Sequence, residues 1–438
     1  MTTTRLDRAT FRFTGRLDAL DDIRRNELVN RSASPDLRIA DKVAAIIRRV
    51  RDEGDRALID LAESLDRVKL ERLEVPRADV DSAPDKIPRE VIDAMRRSAR
   101  NIERVHAAFA PTATRLESEE GVVVMRRPDP LDSVGIYAPG GSAAYASSVL
   151  MAAVPARVAG VREIVLCSPP SSTGLPSAEV LAAAAIAGVG RVFAIGGAGA
   201  IAAMATGTES VPRVDKIVGP GNAFVAEAKV QLAREVAIDC PAGPSELMII
   251  ADTSANPEVI AREVIAQAEH DSRAIVIVIA IGETVATSIE NAIAEQLDGR
   301  QRREIIEEAL ASRGGVLVAL GTDEALMASN AFAPEHLLIA TEDAEKLVGR
   351  VRGAGTVFLG EASSVAFGDY MTGANHVLPT GGMARGYSGL STLDFIRWTT
   401  IQRVSAAAAS RLAVDTAIFA EAEGLPSHAA AARFWASQ

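Results

Sequence analysis

Four of the chain's five histidines sit in polar segments flanked by glycine or proline. The segments are Gln267-Ala-Glu-His270, Pro334-Glu335-His336-Leu337, Gly368-Asp369-Tyr370 through Asn375-His376, and Glu423-Gly-Leu-Pro-Ser-His428. Three of these histidines lie beside carboxylates or a carboxamide. Imidazole and carboxylate together supply zinc ligands and groups that exchange protons near neutral pH. Their gathering in such segments points to a metal-assisted enzyme.

Asn256 and Pro257 read as the N-cap and first residue of a helix. Gln267 and His270 then fall three apart on one face near its C-terminal end, where they can share a metal. A surface Gln-x-x-His without function is the commoner origin of such a pair. Asp369 and His376 share a loop rich in Gly, Asn and Pro that runs to Pro379, a setting favoured by functional residues. An Asp and an Asn that satisfy turn backbone account for it equally well. Glu335 and His336 stand at the mouth of a strand expected over Leu337–Ala340 and suit two proton-transfer tasks, one per residue. There is no H-E-x-x-H helix, so a thermolysin-like site is not supported. His106 falls on a helix and reads as a packing or surface histidine. Cys240, just before Pro241, has no basic residue near it in sequence to activate a thiolate, so it reads as a packed thiol.

The elements that must position these groups follow from periodicity. Apolar residues recur at helical spacing from Asp36 to Leu61 and from Pro88 to Phe109. Short apolar strands then alternate with Ala-rich helices: strands at Ser133–Tyr137, Glu163–Cys167, Arg191–Ile195 and Lys216–Val218. A second series has strands at Leu247–Ala251, Ala274–Ala280, Gly315–Leu320 and Leu337–Ala340. This is the pattern of an α/β protein with two Rossmann-like units, each a parallel sheet covered by helices, plus a small N-terminal arm and a helical C-terminal tail. The expected segments are an arm over 1–30, a first α/β domain from 31–132 plus 247–325, a second from 133–246 plus 326–390, and a tail over 391–438.

Three glycine turns lie where such sheets bind ligands. Gly197, Gly199 and Ala202 formally match G-x-G-x-x-A, which cradles a pyrophosphate on a helix N-terminus. The match is poor beyond its spacing, because Asp215 precedes its strand and is not placed for a ribose hydroxyl. Tyr137-Ala-Pro-Gly-Gly141 and Gly219-Pro-Gly-Asn222 are further candidate loops at a sheet's C-terminal edge.

Composition bounds the rest. At 438 residues the chain has room for two or three domains, and 48% hydrophobic with 24% charged residues is ordinary for a soluble protein. A net charge of -11 argues against a nucleic-acid partner held through its phosphates. Two cysteines fit a reducing cytoplasm. No stretch reaches the roughly 20 apolar residues that span a bilayer, and no signal peptide is legible.

With its segments in order, the chain resembles the histidinol dehydrogenase family from about Asp36 to His428. The resemblance is carried by Val134-Gly-Ile-Tyr-Ala-Pro-Gly-Gly141, Gly196-Gly-Ala, Gly207-Thr-Glu-Ser-Val-Pro212, Val214-Asp-Lys-Ile, Gly219-Pro-Gly-Asn222 and Pro241-Ala-Gly-Pro-Ser-Glu246. It continues through Gln267-Ala-Glu-His270, Pro334-Glu-His-Leu337, Gly368-Asp-Tyr370, Asn375-His-Val-Leu-Pro-Thr380, Ser388-Gly-Leu-Ser391 and Glu421-Ala-Glu-Gly-Leu425 with His428. No single motif is specific; the ordered set is.

The resemblance implies zinc held by Gln267, His270, Asp369 and His428, the last from the second subunit of a homodimer with shared active sites. It implies substrate contacts from Ser245, His376 and Glu423 together with the zinc ligands and His336. It implies NAD contacts from Tyr137 and Asn222. The family usually has Gln after Gly-Gly-Ala; here the position is Gly199, and the lost carboxamide contact is worth about 1 kcal/mol. Glycine would instead let the backbone approach the phosphates. The implied activity is zinc-dependent, NAD-linked oxidation of L-histidinol via L-histidinal to L-histidine, with His336 as base and Glu335 activating water. The alternatives are a superfamily paralogue that oxidises another small alcohol with zinc and NAD, a zinc hydrolase, and a non-catalytic metal-binding protein.

Overall fold

The computed structural model describes residues 10–31, 37–140, 145–240 and 243–437. Two parallel sheets organise the chain. The six-stranded sheet runs, edge to edge, Phe13–Arg16, Gly315–Ala319, Ile275–Ile281, Glu246–Ala251, His336–Ala340 and Thr356–Leu359. The five-stranded sheet runs Arg191–Ala194, Glu163–Ser168, Ser133–Tyr137, Lys216–Val218 and Ala237–Ile238.

The central strands are near-continuous apolar runs because helices cover both faces. In Glu246–Ala251, Leu247, Ile249 and Ala251 enter one core while Met248 and Ile250 enter the core on the opposite face. That split is the two-residue side-chain period of a strand. Helix Leu37–Glu53 lies against helices Gly197–Thr206 and Ala223–Leu232, and helix Arg89–Ala108 packs on Ala146–Ala159. The expected helix starting at Pro257 runs to Ala268, with Asn256 accepting from Glu258 N as its cap.

Several segments sit differently from the expected arrangement. The N-terminal arm includes helix Asp22–Val29 and donates strand Phe13–Arg16 to the edge of the six-stranded sheet, paired with Gly315–Val318. Only Phe13 of that strand is buried, so its pattern is faint. The tail contains strand Ile396–Val404, which forms an antiparallel ribbon with Val122–Pro130; Thr114–Glu119 adds a third strand. Helices Ala406–Ala422 and Pro426–Arg433 follow it.

The grouping of segments also departs from the expected one. Helices 37–108 serve the five-stranded sheet. Strands His336–Ala340 and Thr356–Leu359 belong with Glu246–Ala251, where Leu338 registers with Ile249. An apolar run such as Leu337-Leu-Ile339 says that a strand is buried, not which sheet receives it.

Candidate active site

The two sheets meet with opposed ends. The carboxyl ends of the five-stranded sheet face the amino ends of the six-stranded sheet across a cleft of about 1440 Å³. Tyr137, Gly140, Gly197 and Gly199 line it from the first; Ser245, His270, Arg273 and Ile275 line it from the second. In the five-stranded sheet the chain order reverses between strands Ser133–Tyr137 and Lys216–Val218, which is where open parallel sheets bind ligands.

The expected cofactor residues share this cleft. Tyr137 is buried, and its hydroxyl oxygen accepts from Gly197 N at 3.0 Å. Burial pushes the phenol up to about 12, so it keeps its proton as a donor. Asn222 caps helix Ala223–Leu232, its Oδ1 accepting from Phe224 N and Val225 N, so the amide nitrogen is what remains to meet a ligand. The turn before it is clamped: Gly219 N donates to Asp239 Oδ2 at 2.7 Å and Lys229 Nζ donates to Gly219 O. Gly219 has φ +115, and a Cβ there would overlap the main-chain oxygen of Tyr137. At Gly199 a Cβ would stand 3.1 Å from Leu61 and 3.3 Å from Leu58. The glycine therefore fits a helix, Asp55–Leu61, that lies close over the turn.

Glu335 and His336 are both buried at the start of strand His336–Ala340. The neighbouring strand grips both. Glu246 N donates to Glu335 Oε2 at 2.7 Å, and His336 Nδ1 lies 2.9 Å from Glu246 O. A carbonyl only accepts, so Nδ1 carries the proton and Nε2 is left as the basic nitrogen of the neutral ring. Nε2 is buried without a hydrogen-bond partner, 3.8 Å from Asp369 Oδ1. Burial pulls the imidazole down, but the charges of Glu335 and Asp369 outweigh it and raise it to about 9.

Asp369 lies on helix Val365–Tyr370. Glu263 Oε2 accepts from Val365 N at 3.0 Å, pinning this helix to Pro257–Ala268, the helix that carries Gln267. His376 folds back so that its Nδ1 sits 2.9 Å from Asp369 O, while its Nε2 lies 3.4 Å from Ser148 Oγ on a helix of the other sheet. Burial lowers the His376 imidazole against the opposing charge of Asp369, so it stays neutral near pH 7.

Gln267 is buried and its Nε2 has no hydrogen-bond partner, whereas His270, just past the helix end, is exposed to the cleft. A carboxamide is assigned its O and N by convention, so this orphaned end can equally present the oxygen. Among the described residues no three His, Cys, Asp or Glu side chains stand close enough to hold a metal. Glu423 and His428 are exposed on the tail and do not line the cleft. Gln267 and Asp369 ride on two helices joined by the Glu263–Val365 contact, and His270 stands just past the end of the first; donors of these N and O types suit an ion of intermediate softness.

Burial and the charge of Asp239 push the Cys240 thiol up to about 12, which disfavours a thiolate there. His106 is buried on helix Arg89–Ala108, with its main-chain oxygen accepting from Thr392 Oγ1, a packing role. Three residues outside the expected set bear on the site: Arg31, the main chain of Glu246, and Ser148. Glu246 lies within a motif legible in the sequence; the other two carry no local signal.

Residues 29–435 match the family model for histidinol dehydrogenase. The chain is 44% identical over 392 residues to a histidinol dehydrogenase of Methanosarcina mazei, covering 89% of this chain and 90% of that one. It is 45% identical over 409 residues to one of Methanothermobacter thermautotrophicus, covering 93% and 96%. The crystal structure of histidinol dehydrogenase from Elizabethkingia anophelis superposes with a TM-score of 0.93 at 35% identity, covering 98% of this chain and 99% of that one.

Proposed function

The chain belongs to the histidinol dehydrogenase family and is an NAD-dependent oxidoreductase; on that premise we propose that it oxidises L-histidinol to L-histidine in two NAD-linked steps at one zinc-dependent site. The observation that carries this reading is the buried Glu335–His336 pair, with His336 Nε2 unpartnered and facing Asp369.

His336 Nε2 takes the proton of the substrate's carbinol. NAD, bound along the glycine turns with Tyr137 and Asn222, supplies the hydride acceptor. Glu335, held by Glu246 N, then activates the water that hydrates the aldehyde; His336, its first proton passed to solvent, takes the hydrate's hydroxyl proton, and a second NAD would accept the hydride. Gln267, His270 and Asp369 of one subunit, with His428 of its partner, would hold zinc, which supplies a template for the substrate's nitrogens and offsets the Asp369 charge that raises His336. Ser245, His376 and the partner's Glu423 complete the substrate's surroundings.

A homodimer follows from the same reading. Ile418 and Phe419 are 59% and 69% exposed on the tail helix and Phe434 60% beyond it, an apolar face that a second subunit would cover. No helix among the described residues is long and apolar enough to cross a membrane. We place the enzyme in the cytoplasm, where its two cysteines stay reduced.

The deciding assay is steady-state NADH formation by purified protein with zinc, NAD and L-histidinol. Two NADH per histidinol is the expected stoichiometry. No NADH would reject the reading, and reduction by a different small alcohol alone would replace it with a paralogue's.

A further inference from the structure

We propose that Arg31 and Glu246 form a positioning couple for the reaction: their buried ion pair fixes the strand end whose main chain holds both Glu335 and His336. The inference rests on the reading of those two residues as the proton-transfer pair.

The geometry is continuous. Arg31 Nε and Nη2 donate to Glu246 Oε1 and Oε2 at 3.0 and 2.9 Å, a two-pronged contact with both side chains buried. Arg31 Nη1 donates to the main-chain oxygens of Leu28 and Val29, where helix Asp22–Val29 ends. The guanidinium carbon lies 3.3 Å above the Phe332 ring centroid. Glu246 Oε1 also accepts from Gly381 N at 2.9 Å, beyond the His376 loop. Glu246 is therefore fixed by its side chain on two sides. From that one residue, N–H reaches Glu335 Oε2 and C=O meets His336 Nδ1.

Energetics favour a functional reading of the pair. Two charges taken from water recover little net stability even when paired, and apolar residues of similar volume often serve a core as well. A planar fork on a carboxylate fixes orientation as well as distance. Here the fixed object is the residue that sets the ring tautomer of the base and the direction of the Glu335 carboxylate. A displacement of about 1 Å at such a point can cost a hundredfold in rate. Arg31 and the Glu246 side chain act through other residues, as positioning groups.

The test uses full-length, zinc-loaded protein. Arg31→Met and Glu246→Gln should each lower kcat by about 10- to 100-fold, while the KM for NAD stays within about two-fold. In the double variant the losses should not multiply, because both act through one contact. Arg31→Lys, which keeps the charge without the fork, should recover part of the rate. Nitrogen NMR of the His336 ring, recorded above about pH 9 where the ring is neutral, gives a readout that needs no turnover: a proton on Nδ1 in the parent, and a mixture of tautomers in Arg31→Met. Unchanged kcat in a folded variant, multiplying losses, or an unaltered tautomer overturns the couple. If the parent itself fails to oxidise histidinol, the functional reading falls, and the tautomer measurement alone decides the couple.

Discussion

His376 Nδ1 stands 2.9 Å from the main-chain oxygen of Asp369, and the loop so closed presents the Asp369 carboxylate to His336 Nε2. One short segment thus aims a half-buried carboxylate at His336 and, on the proposed reading, at the zinc. Asp369→Ala should lower bound zinc, measured by elemental analysis after dialysis, and Gln267→Ala should do so less, as expected for a neutral donor. Chelation should abolish turnover and zinc should restore it. Full activity in rigorously metal-free protein would end the zinc assignment.

The proposed mechanism gives Glu335 and His336 separable tasks. His336→Ala should slow both oxidations by about 100- to 10,000-fold, the usual range for a lost acid–base group. Glu335→Gln should chiefly slow oxidation of L-histidinal supplied directly, leaving the alcohol step much faster. Equal losses in both steps for Glu335→Gln would show that the division of labour is wrong.

Glu423 and His428 lie on an exposed tail, away from the cleft of their own subunit. If each site borrows them from the partner, His336→Ala and His428→Ala proteins should complement one another. Subunits unfolded and refolded as an equal mixture should regain about a quarter of parental turnover, because half the dimers carry one intact site of two. No recovery in confirmed mixed dimers would confine the site to single subunits.

Cys240 should be a slow thiol. With its pKa pushed up to about 12 by burial and by Asp239, alkylation by iodoacetamide at pH 8 should lag far behind a free cysteine. Cys240→Ser should keep near-parental turnover. A loss of several orders of magnitude would revive a covalent thiolate route.

His106 predicts a pH dependence of stability. Burial lowers its imidazole, only partly opposed by Asp394, and its Nε2 has no hydrogen-bond partner. A histidine that binds its proton less well when folded contributes stability above its unfolded pKa of about 6.5, and that contribution drains away as the pH falls. Thermal midpoints from pH 8 to 5 should therefore fall more steeply for the parent than for His106→Phe. Parallel curves would reject the assignment.

The strands were the most legible part of the chain. Ser133–Tyr137 and Lys216–Val218 end where their apolar runs end. Segments that bury little gave no such signal. Every residue of Thr114–Glu119 is exposed, and Ile396–Val404 buries none of its residues, so neither carries an alternation to read. In the site, Tyr137, Gly199, Asn222, Ser245 and His270 do line one cleft, and Glu335, His336, Asp369 and His376 do form one cluster, with the first two of them buried. Their motifs were visible because polar residues in Gly- and Pro-bounded loops stand out. The supports were not visible: Ser148 lies within an apolar Ala-rich helix, and Arg31 is one of many arginines in a charged arm.

The opposed meeting of the two sheets has a consequence for the proposed reaction, which would consume two dinucleotides in succession. The glycine turns proposed to seat the dinucleotide and the residues proposed to handle protons ride on different scaffolds. On that reading a spent carrier would leave along the wall of one while the half-finished aldehyde stayed moored to the other, so a reactive intermediate would not be set adrift during the exchange.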